Sequence, residues 1–426
     1  MNPLGQRVAY TSTLLLALWV ADAPQLDETE TRIVRVLFVV HLLVVCAAAC
    51  LWIFHTCLGE AAIVLLFPPE DEGIPDTEGE DGMLLEADAD GITDDDDNDE
   101  YDPASLSNPS PTPLRVLLIA LDLLITILAT LVVCGLTHNM SVLSPTWLLL
   151  AGAVGRSLYP WRHRRSFWKV LSYTFMAPYY RVHFRDGIVG DVLTSLVRPF
   201  QNVLLLLPPS WVLFTVLLPM ATVTPLFLRF LQCLRQVWDS GERWPALVNA
   251  GKYFVAAHAA LGGVFGFGMA WWVSSVISTM YQLAWDITMD WNLLDRNGKL
   301  RRKRLYPFAW MYWVIAALNG LLRFGWTLTF VPAQYLDATG VLTQRRWVLG
   351  PILAVAEIIR RSLWALIRVE WEVIRTTRSL DDMPLQKMAS ESASETNKIR
   401  LLVELGLYTV CFGLMGLVAA FHRGTY

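Results

Sequence analysis

Two carboxylates, Asp286 and Asp290, stand four residues apart in W-D-I-T-M-D-W (Trp285–Trp291), at the close of a long apolar run. Three arginines follow in similar surroundings: Arg323 in L-L-R-F-G-W, and the pair Arg360 and Arg361 in E-I-I-R-R-S-L-W. An ionisable side chain near a bilayer midplane costs about 2.5–3.5 kcal/mol on insertion scales, so charges gathered this way need mutual pairing or a wet, charge-lined path. Guanidinium donors beside carboxylates that neutralise them suit a polar conduit for an anion. Spacing places Asp286 and Asp290 on one helical face, and it puts Glu357 within i,i+3 and i,i+4 pairing reach of Arg360 and Arg361.

Membrane helices must hold such residues. The chain is 54% hydrophobic and 17% charged with 18 tryptophans, whereas a soluble domain carries about 45–50% apolar and about 25% charged residues. Its mean hydropathy is +0.41. The net charge of −5 conceals a basic protein: Glu70–Asp102 holds 17 Asp and Glu and no Lys or Arg, and subtracting those 17 negative charges leaves +12 for the rest. No Cys-x-x-Cys pair, H-E-x-x-H, phosphate-binding glycine loop or G-x-S-x-G occurs, so no metal site, disulfide framework or soluble-type catalytic site is signalled. No cofactor and no nucleic-acid partner is expected, and a membrane-embedded enzyme gains no support.

The fold class expected is all-α and polytopic. Apolar windows place spans at about 33–57, 114–136, 146–160, 188–208, 211–232, 247–267, 269–290, 306–331, 347–368 and 401–421. Ser166–Tyr180 reads either as an eleventh short span or as an interfacial helix. A leader, residues 1–32, precedes the first span; its Ala21-Asp22-Ala23 loosely matches a cleavage site, and an uncleaved leader is the favoured reading. The loop 69–113, acidic and then Ser/Pro-rich, lacks the apolar residues to fold. Basic residues cluster at Lys299–Arg304, which the positive-inside rule assigns to the cytoplasm together with the linker 375–398. Asn139-Met140-Ser141 is the one glycosylation sequon found. Arg235 with Asp239 and Arg368 with Glu372 read as salt bridges. Asp122 and His41 read as interhelical hydrogen-bonding groups, and Trp211, Trp244 and Trp347 as interfacial anchors.

From Phe184 onward the chain resembles the EXS domain, shared by the xenotropic and polytropic retrovirus receptor, the Syg and PHO-type phosphate exporters and the shorter Erd-type Golgi proteins. Six blocks carry the likeness in one order: Phe184–Leu196, Leu228–Arg235, Leu247–Tyr253, Tyr281–Trp291, Leu322–Trp326 and Glu357–Glu372. The resemblance implies a six-helix core, residues 184–376, preceded by peripheral helices over 33–183 and followed by a linker and extra helix over 377–426. It further implies conduction of inorganic phosphate. The positions it assigns to the anion pathway are Asp191, Lys252, Asp286, Asp290, Arg323, Trp326, Glu357, Arg360 and Arg361, with Asn249 and Tyr281 as plausible lining residues. After C-L-R the chain reads R-Q-V-W-D, which is less basic than the family pattern. The soluble SPX sensor of larger relatives is missing from the sequence, so the Erd-type layout is the nearer comparison and a channel-like phosphate exporter in the Golgi the leading expectation. A plasma-membrane exporter and a non-transporting Golgi trafficking factor are the rivals. The expected partners are phosphate, the lipid bilayer and a second copy of the chain.

Overall fold

The computed structural model describes residues 28–67, 161–265, 268–295, 297–330, 346–381 and 395–423. The leader, the acidic loop, Asp122, the sequon at Asn139 and the candidate spans 114–136 and 146–160 lie outside them. Every regular element among the described residues is helical: α1 (Glu28–Cys57), α2 (Glu60–Leu66), α3 (Trp161–Phe175), α4 (Phe184–Ser195), α5 (Val197–Leu204), α6 (Leu218–Ser240), α7 (Ala246–Phe265), α8 (Met269–Trp285), α9 (Ala309–Arg323), α10 (Arg346–Asp381) and α11 (Glu395–Arg423). A π turn, Leu213–Leu217, leads into α6 and a second, Asp286–Asp290, ends α8; a 3-10 segment, Phe324–Phe330, extends α9. Helices satisfy their own backbone groups, which is what a chain without surrounding water requires. The protein is an all-helical membrane protein.

Two described helical stretches pass a strict test of length and hydropathy for crossing a bilayer, Phe38–Leu58 and Leu213–Ser240. Arg229 lies within the second of these stretches, and α8 gives way to the π turn that carries Asp286 and Asp290. At 15 residues α3 is about 22 Å long, shorter than the roughly 30 Å hydrocarbon layer. It also carries Arg162, Arg164, Arg165 and Lys169, so its length and charge suit an interfacial helix.

Two apolar cores hold the bundle. In one, Leu51 and Phe54 of α1, Leu58 in the turn after it, and Ala62 and Leu66 of α2 pack with Tyr312 and Ile315 of α9, Trp364 and Ile367 of α10, and the loop residues Trp291, Leu293 and Tyr306. In the other, Phe230, Cys233 and Val237 of α6 meet Ala250, Tyr253 and Ala257 of α7 and Leu405 and Phe412 of α11. Polar residues gather where α4, α6, α7, α8, α9 and α10 converge.

Lys299, Arg302, Lys303 and Arg304 of the basic run are exposed, but Arg301 is buried. Its guanidinium pairs with Glu370 and donates to the Trp291 carbonyl. The basic face expected from composition is therefore one residue smaller than it reads.

Candidate functional site: a ladder of buried charge

Close approach of α4 to α6 builds the first rung. Gly190 makes it possible: a Cβ there would lie 2.4 Å from Arg229 Cδ and 2.6 Å from Gln232 Oε1. Asp191, the next residue, accepts from Arg229 Nε at 3.1 Å and from the Tyr253 hydroxyl at 2.6 Å. Arg229 Nη1 also donates to Gln232 Oε1 at 2.5 Å, and Gln232 Nε2 donates to the Asp186 carbonyl at 3.2 Å. These side chains are all buried. Lys252, one residue before Tyr253, lays its ammonium 4.7 Å from the centre of the Tyr253 ring and 5.4 Å from that of Trp285.

The second rung joins α8, α9 and α10. Trp291 N–H donates to the Asp286 carbonyl at 2.9 Å, the wide bond of a π turn, and such turns recur at functional sites. The Asp286 carboxylate accepts from Asn319 Nδ2 at 2.8 Å and from Arg323 Nε at 3.0 Å, with Arg323 Nη2 on the same oxygen. Arg323 Nη1 donates to Gln282 Oε1 at 2.9 Å. Asn319 turns its own oxygen to Arg360 Nη1 at 3.0 Å. Arg360 then grips both oxygens of Glu357, Nε to Oε2 at 2.7 Å and Nη2 to Oε1 at 2.5 Å.

Arg361 behaves differently from its neighbour. Glu357 lies four residues before it, yet the Arg361 guanidinium turns to α4, donating to Ser195 Oγ at 3.0 Å and Thr194 Oγ1 at 3.1 Å over the Trp364 ring. Ser195 in turn donates to Glu357 Oε1 at 2.7 Å. Thr194 donates to the Asp191 carbonyl at 2.7 Å, so through Thr194 and Ser195 this one cation links the two rungs.

Asp286 and Asp290 take partners on different helices, Asp286 on α9 and Asp290 on α10. Arg368 of α10 approaches Asp290 at 3.9 Å while bonding Glu372 at 2.8 Å. Arg235 and Asp239 pair at 2.8 Å as spacing suggested. Tyr281 spends its hydroxyl on the Val248 carbonyl at 2.7 Å, which ties α8 to α7. Asn249 has its Oδ1 buried without a hydrogen-bond partner. Trp326 donates to Thr279 Oγ1 at 3.0 Å and packs against Trp271 and Trp272. His41 is fully buried in α1.

From Thr279 to Asp290 the α8 axis rises about 16 Å, so the polar ladder occupies roughly half of a 30 Å hydrocarbon layer. Asp191, Asp286 and Glu357 each hold an arginine within ion-pair distance. Among the described residues, Lys252 and Arg361 have no carboxylate within 4.0 Å. Two buried cations thus stand without an ion-pair partner among the described residues. The described residues contain no cluster of His, Cys, Asp and Glu suited to a metal ion. Arg229, Gln232, Tyr253, Gln282, Asn319, Thr194 and Ser195 join the site without having been singled out by spacing. All of these but Asn319 stood inside the quoted blocks, and charge within an apolar run marks Arg229 as it marks Arg323.

Solute carrier family 53 member 1 of Homo sapiens is 29% identical over 271 residues, covering 52% of this chain and 38% of that protein. The xenotropic and polytropic retrovirus receptor 1 homolog of Xenopus laevis is 30% identical over 268 residues, with 52% and 38% covered. Phosphate transporter PHO1 homolog 4 of Arabidopsis thaliana is 30% identical over 259 residues, with 54% and 34% covered. The chain therefore spans well under half the length of these relatives. The EXS family profile matches residues 31–374, taking in α1 to α9 and the part of α10 that carries Glu357, Arg360 and Arg361. The chain belongs to the EXS family.

Proposed function

We propose that the protein carries inorganic phosphate across a membrane along this ladder. The observation that supports it most is the pair of buried cations, Arg361 and Lys252, that stand without a carboxylate while three neighbouring arginines are neutralised. Phosphate carries about one to two negative charges near neutral pH and offers several acceptor oxygens. Arg361 can present a planar fork to two of them, and Lys252 a point charge to a third. The paired arginines then act as exchange sites. Arg323 and Arg360 can swap a carboxylate for a phosphate oxygen and take the carboxylate back, so the anion is held weakly at several successive positions. The side chain of Glu357 is 32% exposed, against 9% for Asp191 and 2% for Asp286.

A relative named a phosphate transporter supports the choice of anion. We further propose that the protein acts in the Golgi, the compartment of the shorter proteins that the six blocks resemble, where it returns phosphate released in the lumen to the cytosol, and that it assembles as a homodimer. Phosphate uptake by proteoliposomes containing the purified chain tests transport. Imaging of the full-length chain beside Golgi and plasma-membrane markers tests the compartment. Label at the cell surface alone would contradict the Golgi assignment, and cross-linking in the native membrane tests the dimer.

A further inference from the structure

The last helix, α11, begins at Glu395, beyond residue 374 where the family match ends, yet it packs into the bundle against α6 and α7. Two contacts hold it. Arg243, between α6 and α7, donates to both oxygens of Glu404, at 3.0 and 2.5 Å, and the Tyr408 hydroxyl adds a bond to the same carboxylate at 3.1 Å. Two turns onward, the buried Phe412 ring sits 4.8 Å from Phe230, 5.0 Å from Phe227 and 5.8 Å from Phe254. Exposed ion pairs contribute little, so the fork fixes register and the rings supply the packing. Leu402, Val403, Leu407, Val410 and Leu414 are exposed on α11, a surface suited to lipid.

The core that receives Phe412 and Leu405 also contains Phe230 and Tyr253. Phe230 adjoins Arg229 in sequence, and Tyr253 donates its hydroxyl to Asp191. One ring therefore has a face in the core built with α11 and a hydroxyl on the first rung of the ladder.

We propose that α11 is a positioning helix: by clamping α6 and α7 it sets how Arg229 and Tyr253 meet Asp191, and so how tightly the bundle holds its anion. The second half of this statement rests on the transport reading; the first does not. Two measurements on the full-length chain in proteoliposomes separate them, phosphate flux against phosphate concentration and hydrogen–deuterium exchange. Phe412→Ala is expected to shift half-saturation by about three- to tenfold, the range of mutations that act through coupling. It should also speed exchange in peptides covering 184–196 and 246–257. Arg243→Glu should do the same more weakly, with recovery in the Arg243→Glu/Glu404→Arg double variant, while Leu407→Ala changes neither readout. Wild-type half-saturation in Phe412→Ala, or faster exchange confined to 395–423, would overturn the proposal and leave α11 a passive extra span. If Phe412→Ala does not insert, Arg243→Glu and its charge swap decide the matter by the same criteria. If the wild-type chain carries no phosphate, the transport reading fails, and exchange in 184–196 alone decides whether α11 positions Asp191.

Discussion

Glu370 and Glu357 lie on the same helix, thirteen residues apart, and each pairs with a buried arginine, but their surroundings differ. Glu370 is fully buried and accepts from Arg301, from the Tyr312 hydroxyl and from the backbone N–H groups of Leu305 at 2.6 Å and Tyr306 at 3.3 Å. Its donors sit on the loop and on α9, where Tyr306 and Tyr312 are locked into the larger apolar core. Among the described residues, Glu357 is bonded only by side chains, Ser195 and Arg360, and Arg361 has no carboxylate within 4.0 Å. A carboxylate fixed by backbone donors is a structural lock; one bonded by side chains beside a spare cation can exchange its partner. Burial of charge alone does not mark the pathway.

Breaking the lock should give the largest effect. Glu370→Ala leaves Arg301 buried without its carboxylate and the Leu305 N–H without its acceptor, while the Tyr306 N–H keeps the Tyr312 hydroxyl oxygen at 3.4 Å. Removing one partner of a buried pair costs about 3–5 kcal/mol, so the variant is expected to lose most of its folded yield and to unfold at a markedly lower temperature in detergent. A Glu370→Ala protein as stable as wild type would erase the distinction drawn here. Arg323→Ala comes next: it leaves Asp286 with Asn319 as its remaining side-chain donor and is expected to abolish phosphate flux with a smaller loss of stability. Arg323→Lys should restore flux in part, since it keeps the charge and loses the fork; full restoration would show that charge alone suffices.

Gly190→Ala probes the first rung. Its Cβ would collide with Arg229 and Gln232, and overpacking of this kind costs about 1–3 kcal/mol. Reduced flux with a modest fall in unfolding temperature is expected, and an unchanged protein would mean that α4 can move away from α6 freely. Arg235→Ala sits at the bottom of the scale, because its pair with Asp239 is partly exposed and such pairs contribute about 0–1 kcal/mol. Its flux and unfolding temperature should match the wild type.

Charges set in apolar runs were legible: Asp286, Asp290, Arg323, Glu357, Arg360 and Arg361 stand out because each would be costly in lipid alone. Their partners were less so. Spacing reports neighbours along one helix, so Arg360 with Glu357 could be read, but nothing local says that Arg361 would turn away to Ser195 and Thr194 on α4. The π turn at Asp286–Asp290 has no spacing signature, and spacing along one helix does not report that Asp286 meets α9 while Asp290 meets α10. Polar uncharged members such as Gln232 and Asn319 were hidden because a lone amide in an apolar run is cheap enough to pass as packing. Arg301 misled in the opposite direction: it stood among exposed basic residues and only the fold reveals Glu370 behind it.

Arg361, a buried cation with no carboxylate within 4.0 Å among the described residues, is expected to serve the anion and not the fold. The most direct test is phosphate flux in proteoliposomes for the wild type and Arg361→Ala, measured beside thermal unfolding of both. Ser195 and Thr194 have other hydrogen bonds, to Glu357 and to the Asp191 carbonyl, so the substitution should cost about 1 kcal/mol or less of stability. Flux should be lost while the unfolding temperature stays near that of the wild type. Near-normal flux, or a loss of stability on the scale of Glu370→Ala, would contradict it.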